Sequence, residues 1–173
     1  MRFISLMSVG SLGPELLQPL AERLTQRLGA ACSIQPGGFS AEFAFNRRRR
    51  QYHSAEILKK LLRRPGSSGS TLLAVTDVDL YVHGLAFVFG DSQRPRGAVV
   101  STYRLRQEFY GLPADPGLLQ ERLLKAALHE FGHTYGLRHC PHHSCAMSAA
   151  SSVEQVDLKR PAFCVACAAS MAD

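Results

Sequence analysis

The sequence predicts an α+β fold, in which a twisted mixed β-sheet is backed by helices and followed by a small irregular C-terminal subdomain. Strand-like apolar segments and amphipathic helical segments alternate through the first half of the chain. The longest helical pattern spans residues 117–135 and stops at Gly136, a residue type that favours helix termination. Beyond it the periodicity is lost, and His, Cys, Ser and Ala dominate. We therefore predict a subdomain over residues 1–136 and another over 137–173, within one compact domain.

The first elements are a strand, a helix and a second strand. The apolar stretch 3–9 predicts the first strand. Leucines at helical spacing predict a helix over 14–28, where Pro14 suits the first turn and Gly29 suits the stop. Residues 30–34 are predicted to form the second strand. The same order of elements recurs further along the chain.

A helix and a basic segment come next. The turn at 36–38 and a short extended piece at 43–45 lead into the run Arg47–Arg50, which we interpret as an exposed, solvated segment. Residues 54–64 then carry their leucines and isoleucine on one helical face. A second helix is therefore predicted there.

The central strand and a hairpin follow the clearest loop of the chain. This loop, 65–69, contains Pro, Gly and Ser only, and the continuous apolar run 72–75 after it predicts a buried central strand. Residues 85–89 and 98–103 are predicted to pair as a hairpin across the polar stretch 90–97. The predicted sheet thus gains two strands before the long helix begins.

Length and composition limit the class of protein. With 173 residues, 46% of them hydrophobic, the chain suits one domain that buries a core without help from disulfides. No run approaches the roughly 20 apolar residues of a membrane-spanning helix, and the first residues lack a secretory pattern. We therefore expect a soluble, cytoplasmic protein with no membrane partner. The net charge of +6 favours acidic partners and identifies none.

An HExxHxxGxxH motif, HEFGHTYGLRH, begins at His129. Four-residue spacing places His129 and His133 on one helical face, where both imidazoles can reach one ion. The chain must turn sharply to bring His139 to the same point, and Gly136 permits such a turn. Three imidazoles leave one coordination position for water, as in catalytic zinc sites. Glu130 lies beside them, where it can act as a general base.

Four of the five cysteines lie within the last 34 residues, in a CxxxxC pair followed by a CxxC pair. In a chain without a secretory signal, this clustering favours metal binding over disulfides, and four thiolates form a closed tetrahedral zinc site. Two disulfides, or a mixed site that includes His142 or His143, are the alternatives. The four candidate ligands are Cys140, Cys145, Cys164 and Cys167.

Together these motifs carry a family resemblance. The combination of HEFGHTYGLRHC, CxxxxC, CAM and CxxC resembles the archaemetzincins, a family of metzincin-clan zinc metallopeptidases. Upstream, TDVDLYVHGLAFVFGD and AVVSTYRLRQEFYG are similar to the archaemetzincin segments between the central strand and the active-site helix. The resemblance by motif covers residues 72–167.

The resemblance implies a metzincin-like sheet, an active-site helix and two zinc ions per chain. The catalytic ion would be held by His129, His133 and His139, and the structural ion by the four clustered cysteines. Met147 would be the Met-turn residue beneath the catalytic zinc. An edge strand would pair antiparallel with an extended peptide or protein substrate. That strand would consist of Leu85, Ala86, Phe87, Val88 and Phe89.

The leading functional hypothesis is a zinc-dependent metallopeptidase. Zinc would activate a water molecule, and Glu130 would take its proton and pass it to the leaving amine. The alternative is a zinc-containing peptide-binding protein with weak or no hydrolysis, because no propeptide that could keep a broad protease latent precedes the first predicted strand. A nucleic-acid-binding zinc module would use the positive charge but leaves HExxHxxGxxH unexplained, so a nucleic-acid partner is not expected.

Overall fold

The fold contains a five-stranded, mainly parallel sheet. The structure is a computed structural model that describes residues 3–64 and 69–171 of the chain. Two short 3₁₀ turns, Glu42–Ala44 and Gln107–Tyr110, accompany the regular elements. In chain order these elements are β1 (Phe3–Val9), α1 (Pro14–Leu28), β2 (Ala31–Ile34), β3 (Phe45–Asn46), β4 (Gln51–His53), α2 (Ser54–Leu61), β5 (Thr71–Thr76), β6 (Leu80–Tyr81), β7 (Gly90–Gln93), β8 (Gly97–Ser101), α3 (Pro116–Thr134), α4 (Val153–Leu158) and α5 (Val165–Ser170).

The sheet is mixed, as predicted. Its strand order is β2-β1-β5-β8-β7, in which the first four strands are parallel and β7 is antiparallel to β8. The apolar run 72–75 lies in the central strand β5, between β1 and β8. Within the described residues no strand pairs with the outer side of β7, which is therefore a free edge. A smaller sheet has the order β3-β4-β6.

Two hydrophobic cores cover the two faces of the sheet. In β1, Ile4 and Leu6 belong to one core, whereas Met7 and Val9 belong to the other, because successive strand residues point to opposite faces. The first core is closed by α1 and α3, and the second by α2. Both cores are built from buried aliphatic side chains, so the strand residues read as continuous apolar runs.

Helix α3 carries the whole HExxH motif and lies one residue earlier than predicted. The Asp115 side chain accepts a hydrogen bond from the backbone N–H of Leu118 and caps the first turn. At the other end, Gly136 has a φ of 86°, which lets the chain leave the helix in a sharp turn. The predicted role of Gly136 as a helix stop is confirmed.

The C-terminal segment is held against α3 by an ion pair. Both Arg122 guanidinium nitrogens that face Asp157 donate to its carboxylate, at 2.8 and 2.7 Å. Lys125 donates to the backbone carbonyl of Asp157. Residues of this segment, including Met147 and Val153, enter the first core. The division into subdomains at residue 136 stays a prediction.

The predicted hairpin is displaced in the structure. Its strands are β7 and β8, joined by residues 94–96, and residues 85–89 do not form a strand. In that stretch only Val88 forms an isolated bridge, to Leu80. The prediction was wrong because it followed hydrophobicity. The polar residues of β7 are instead fixed by side-chain contacts with neighbouring helices.

The basic run is not wholly solvated either. Arg47–Arg50 form the turn between β3 and β4, and the Arg49 guanidinium donates to the carbonyls of Leu85 and Ala86, at 2.7 and 2.9 Å. Arg49 also lies 4.3 Å from the centre of the Tyr81 ring. This arginine therefore braces residues 85–89 in their irregular conformation.

Helix α2 ends at Leu61, three residues before the predicted end at residue 64. The predicted loop 65–69 lies outside the described residues, apart from Gly69. Among the helices of the described residues, none is long and apolar enough to cross a membrane.

Candidate active site

Three histidine side chains converge at the end of α3. The Nε2 atoms of His129 and His133, one turn apart, are 3.1 Å from each other. The turn at Gly136 returns the chain so that the His139 ring stacks on His129, with ring centres 5.2 Å apart. One ligand atom from each of the three histidines lies within 4.8 Å of the others. The structure thus brings together the three residues that the motif singled out.

Hydrogen bonds orient two of these rings. Nδ1 of His129 donates to the Ala146 carbonyl and Nδ1 of His133 donates to the Leu137 carbonyl, both at 2.8 Å, since a carbonyl can only accept. Each proton is thus held on Nδ1, and each Nε2 presents a lone pair. Two lone pairs directed at each other at 3.1 Å call for a cation between them. Tetrahedral zinc, with zinc–nitrogen bonds of about 2.0–2.1 Å, separates its nitrogen ligands by about 3.3–3.4 Å, which this donor set fits.

The protonation states also suit metal binding. Burial, reinforced by the positive charge of Lys159, lowers the pKa of His129 to about 3. Burial likewise lowers the pKa of His139. Neutral imidazole is the form that ligates metals. At neutral pH these two rings are therefore ready to bind an ion.

Met147 is fully buried and packs against the HExxH segment of α3. It packs against Gly132, where an added Cβ would overlap its sulfur and lie 3.1 Å from the Phe163 ring. The glycine of the HExxH segment therefore has a packing role as well, because it lets Met147 approach the helix. The Met-turn role of Met147, which the resemblance implies, stays a prediction.

Glu130 is buried beside the histidines and next to the edge strand. Burial, together with the nearby Asp91 carboxylate, raises its pKa to about 8. The neighbouring Ser92 side chain acts in the opposite direction and lowers the pKa of Glu130. Gly90 of β7 makes room for Glu130, because a Cβ at position 90 would lie 2.6 Å from its Cγ. The candidate base thus sits between α3 and the free edge of the sheet.

Lys159 is a site residue that sequence reasoning missed. It is only 5% exposed, and its Nζ lies 3.4 Å from both the Ala146 carbonyl oxygen and Nδ1 of His129. Burial lowers its pKa to about 8, although the Glu130 charge acts in the opposite direction. A single lysine after a short helix carries no recognisable sequence signal. Only the packing of α4 against α3 brings it to the site.

The four clustered cysteines form a second group of ligand atoms. Their sulfur atoms all lie within 4.8 Å of one another, and the sulfurs of Cys140 and Cys164 are 3.8 Å apart. None of the four is in a disulfide. A tetrahedron with zinc–sulfur bonds of about 2.3 Å has sulfur–sulfur edges of about 3.8 Å, which this group fits. His142 and His143 are exposed and do not belong to the group.

The two groups share one stretch of backbone. Cys140 follows His139 directly, and its N–H donates to the Met147 carbonyl at 2.9 Å. The sulfur of Cys145 accepts from the N–H of Met147 at 3.4 Å, and the intervening Ala146 carbonyl accepts from His129. Residues 139–147 therefore hold parts of both groups at once.

A cleft of about 780 Å³ opens over the histidines. Residues 85–92 line it, together with residues 149–151, 155 and 156 of the C-terminal segment. The predicted substrate residues Leu85, Ala86, Phe87, Val88 and Phe89 thus border the cleft, as an irregular wall and not as a strand. Phe87 and Phe89 pack edge to face, with ring centres 5.2 Å apart. The side of the cleft that they form is apolar.

Comparison with known proteins places the chain in a family. The model of Peptidase family M54 matches residues 40–173. With the site described above, this match defines the chain as a zinc metallopeptidase, for which peptides are the substrates. The archaemetzincin of Methanocaldococcus jannaschii is 38% identical over 171 residues, which cover 98% of this chain and 93% of the relative. That of Thermococcus kodakarensis is 38% identical over 176 residues, covering 96% and 94%. The chain therefore belongs to peptidase family M54, the archaemetzincins.

Solved structures agree with this assignment. A zinc-dependent peptidase from Methanocorpusculum labreanum superposes with a TM-score of 0.88 at 31% identity, covering 97% of this chain and 99% of the other. The archaemetzincin of Archaeoglobus fulgidus, in complex with malonate, gives a TM-score of 0.84 at 34% identity, with the same coverage. Metalloproteinase-II of Bacteroides fragilis, at 12% identity and a TM-score of 0.59, shares the fold over 52% of its length. The predicted metzincin-like α+β fold is confirmed.

Proposed function

We propose that His129, His133 and His139 hold a catalytic zinc ion and that Glu130 is the general base of peptide hydrolysis. The observation that carries this proposal is the buried position of the Glu130 carboxylate, beside three converging imidazoles and next to the free edge of the sheet. A catalytic base must lie within reach of the attacking water and of the scissile bond. A peptide held along this edge would bring its bond to that place.

The chemistry is divided between the ion and the glutamate. When bound, zinc polarises the peptide carbonyl and makes a water molecule more acidic. Glu130 takes the proton of the attacking water and returns it to the leaving nitrogen.

We propose that the substrate pairs with β7. The sequence had instead suggested residues 85–89 as the strand that pairs with the substrate. Strand β7 has a free outer edge and lines the cleft through Gly90, Asp91 and Ser92. An extended peptide can add to such an edge through main-chain hydrogen bonds. Residues 85–89 would then contact substrate side chains, and their apolar surface favours apolar ones.

We also propose a second, structural zinc ion on the four cysteines, which gives two ions per chain. The sulfur separations, the free thiols and the absence of an open coordination position support this assignment. Hydrogen bonding from the backbone N–H of Cys167 lowers the pKa of Cys164 to about 7 and favours the thiolate form that zinc requires.

The test is cleavage of a mixed peptide library by zinc-loaded protein and by the variant Glu130→Gln, read by mass spectrometry. We expect the variant to lose at least about 100-fold in rate while it keeps its zinc and its fold. Glu121→Gln is the matched control, because Glu121 lies on the same helix and pairs with Arg23 at the surface. Peptides blocked at the N-terminus separate endopeptidase from aminopeptidase action.

Two results would contradict the proposal. Equal cleavage by the parent and Glu130→Gln would remove Glu130 from the role of base. No cleavage by either, with peptides bound in the cleft and the metal present, would favour the peptide-binding alternative. Metal analysis of the same samples is expected to give two zinc ions per chain, and a value of one would refute the second site.

A further inference from the structure

We infer that Arg104 is a positioning residue for Phe87 and that the two together select substrates with a large apolar side chain. The inference rests on the proposed function and deepens it, since it assigns the specificity of the same cleft. It concerns residues 85–89, the irregular wall whose side chains line the cleft. The side chains that hold this wall come from other parts of the chain.

The Arg104 guanidinium lies over two aromatic rings. Its central carbon is 4.2 Å from the centre of the Phe87 ring and 4.9 Å from the centre of the Phe109 ring. Phe87 also packs edge to face with Phe89. A cation over an aromatic face attracts the ring, and this attraction favours one orientation of the ring. Phe87 lines the cleft and Arg104 does not, so the arginine acts on a bound substrate through the Phe87 ring.

Asp79 fixes the arginine. Nε and Nη2 of Arg104 donate to the two carboxylate oxygens of Asp79, each at 2.7 Å. Asp79 is buried, and its Oδ2 also accepts from Nε2 of Gln51 at 3.1 Å. Two parallel hydrogen bonds between planar groups define the plane of the guanidinium as well as its position. The ion pair carries no net charge, so it adds little charge to the apolar wall that it supports.

The backbone of the wall is held by the same network. Nε2 of Gln51 and the Arg49 guanidinium both donate to the Ala86 carbonyl oxygen, each at 2.9 Å. Both lone pairs of that oxygen are thereby used. Arg49 also donates to the Leu85 carbonyl. These two carbonyls are engaged within the protein, so the wall meets a substrate with its side chains, whereas β7 offers main-chain groups.

A ring held in one orientation is a better contact surface than a mobile one. Packing against it avoids the loss of conformational entropy that ordering a free side chain would bring. Hydrophobic pockets separate substrates that differ by one methylene group by about 10- to 200-fold. We therefore expect a peptide with Leu against this wall to have a kcat/KM at least about 10-fold higher than the same peptide with Ala. Loss of Arg104 frees the ring, so this preference should fall while the chemistry at Glu130 continues.

The experiment measures kcat/KM on matched peptides that differ only in Leu or Ala at one position, with that position moved along the peptide. The Leu-to-Ala ratio at the most selective position should fall at least about fivefold in Arg104→Ala and in Phe87→Ala. It should fall no further in the double variant, because the arginine acts through the ring. In each variant, kcat on the Ala peptide should stay within about threefold of the parent value. Arg23→Ala is the control, because Arg23 pairs with Glu121 at the surface, and its ratio should stay within about twofold of the parent ratio.

Arg104→Lys keeps the test decisive if Arg104→Ala does not fold. Lysine retains a positive charge for the buried Asp79 but lacks the planar fork that lies over the ring, so the ratio should fall at least about threefold. A parent ratio retained in every folded Arg104 variant would overturn the inference. A parent without preference for Leu at any position, or a ratio that falls further in the double variant than in Phe87→Ala, would also overturn it.

Peptide binding without turnover separates this inference from the proposed function. Zinc-loaded Glu130→Gln is expected to bind the Leu peptide at least about 10-fold more tightly than the Ala peptide and to lose most of this difference when Arg104→Ala is added. If the parent cleaves none of the peptides, the proposed function fails, while the binding ratio still tests the wall. Equal affinity for the two peptides, or a ratio that Arg104→Ala leaves unchanged, would overturn the inference.

Discussion

Replacing Gly132 with alanine tests the packing beneath the histidine site. In an ordinary helix interior this change stabilises a protein by roughly 1 kcal/mol, because alanine loses less entropy on folding. Here the new Cβ would overlap the Met147 sulfur and lie 3.1 Å from the Phe163 ring. Overpacking of this kind costs about 1–3 kcal/mol, and Met147 is fully buried and cannot move into solvent.

The two effects oppose each other, and we expect the overlap to prevail. Gly132→Ala should lose up to about 2 kcal/mol of unfolding free energy, which for a chain of this length lowers Tm by up to about 8 °C. Gly117→Ala is the matched control on the same helix, because its Cβ would meet only Asp115, at an ordinary contact distance of 3.5 Å. That control should be neutral or slightly stabilising. Urea unfolding of zinc-saturated proteins measures both.

A second variant identifies the cause. Met147→Ala alone removes a buried side chain and should cost about 2–5 kcal/mol. In the double variant Gly132→Ala/Met147→Ala, the cavity left by Met147 accommodates the new Cβ at position 132. The double variant should therefore lose at least about 1 kcal/mol less unfolding free energy than the sum of the losses of the two single variants. The reasoning is refuted if Gly132→Ala is as stable as Gly117→Ala, or if its cost and that of Met147→Ala simply add.

Three further predictions concern charge, zinc and space. Lys159→Met should stabilise the protein by about 3 kcal/mol at pH 7, because burial lowers the pKa of Lys159 from 10.5 to about 8 and so makes its ammonium form costly in the folded state. The unfolded chain binds the proton more tightly than the folded protein, so this gain in stability should fade as pH rises from 8 to 10.5. Unfolding free energies of the parent and the variant at pH 7 and pH 10 test the prediction. Cys167→Ser should weaken zinc binding at the histidine site at least about 10-fold in a chelator competition, because residues 139–147 hold both groups, whereas Cys32→Ser should leave it unchanged. Gly90→Ala should lower kcat at least about 10-fold with two zinc ions still bound, since a Cβ there displaces Glu130, and a normal kcat would contradict the stated contact.

Apolar pattern and motif spacing predicted the parts of the molecule that local sequence controls. Strand β1 and the central strand β5 are buried on both faces, so they appear as apolar runs, and α3 shows its helical spacing and its terminating Gly136. The ligand atoms of the histidines and of the cysteines come together in two groups, as the motif spacing predicted. Their roles as metal ligands remain proposals.

Residues whose place is set by distant contacts were not predictable. The edge strand β7 consists of Gly, Asp, Ser and Gln, which favour turns, yet Ser54 hydrogen-bonds to Asp91 and Glu130 packs against Gly90. Residues 85–89 look like a strand, but Arg49 takes up two of their carbonyls. Lys159 reaches the site only through the docking of α4. In each case a side chain far away in sequence outweighed the local preference.

The free edge of β7 also bears on how the protein avoids self-association. Unpaired edge strands invite association with the sheets of other molecules, and proteins shorten or cover them for this reason. Strand β7 has only four residues, and three of them, Gly90, Asp91 and Ser92, line the cleft. So short an edge offers few main-chain hydrogen bonds to the sheet of another molecule. The shortness of β7 would therefore limit edge-to-edge association of two copies and still leave a place for a single extended segment.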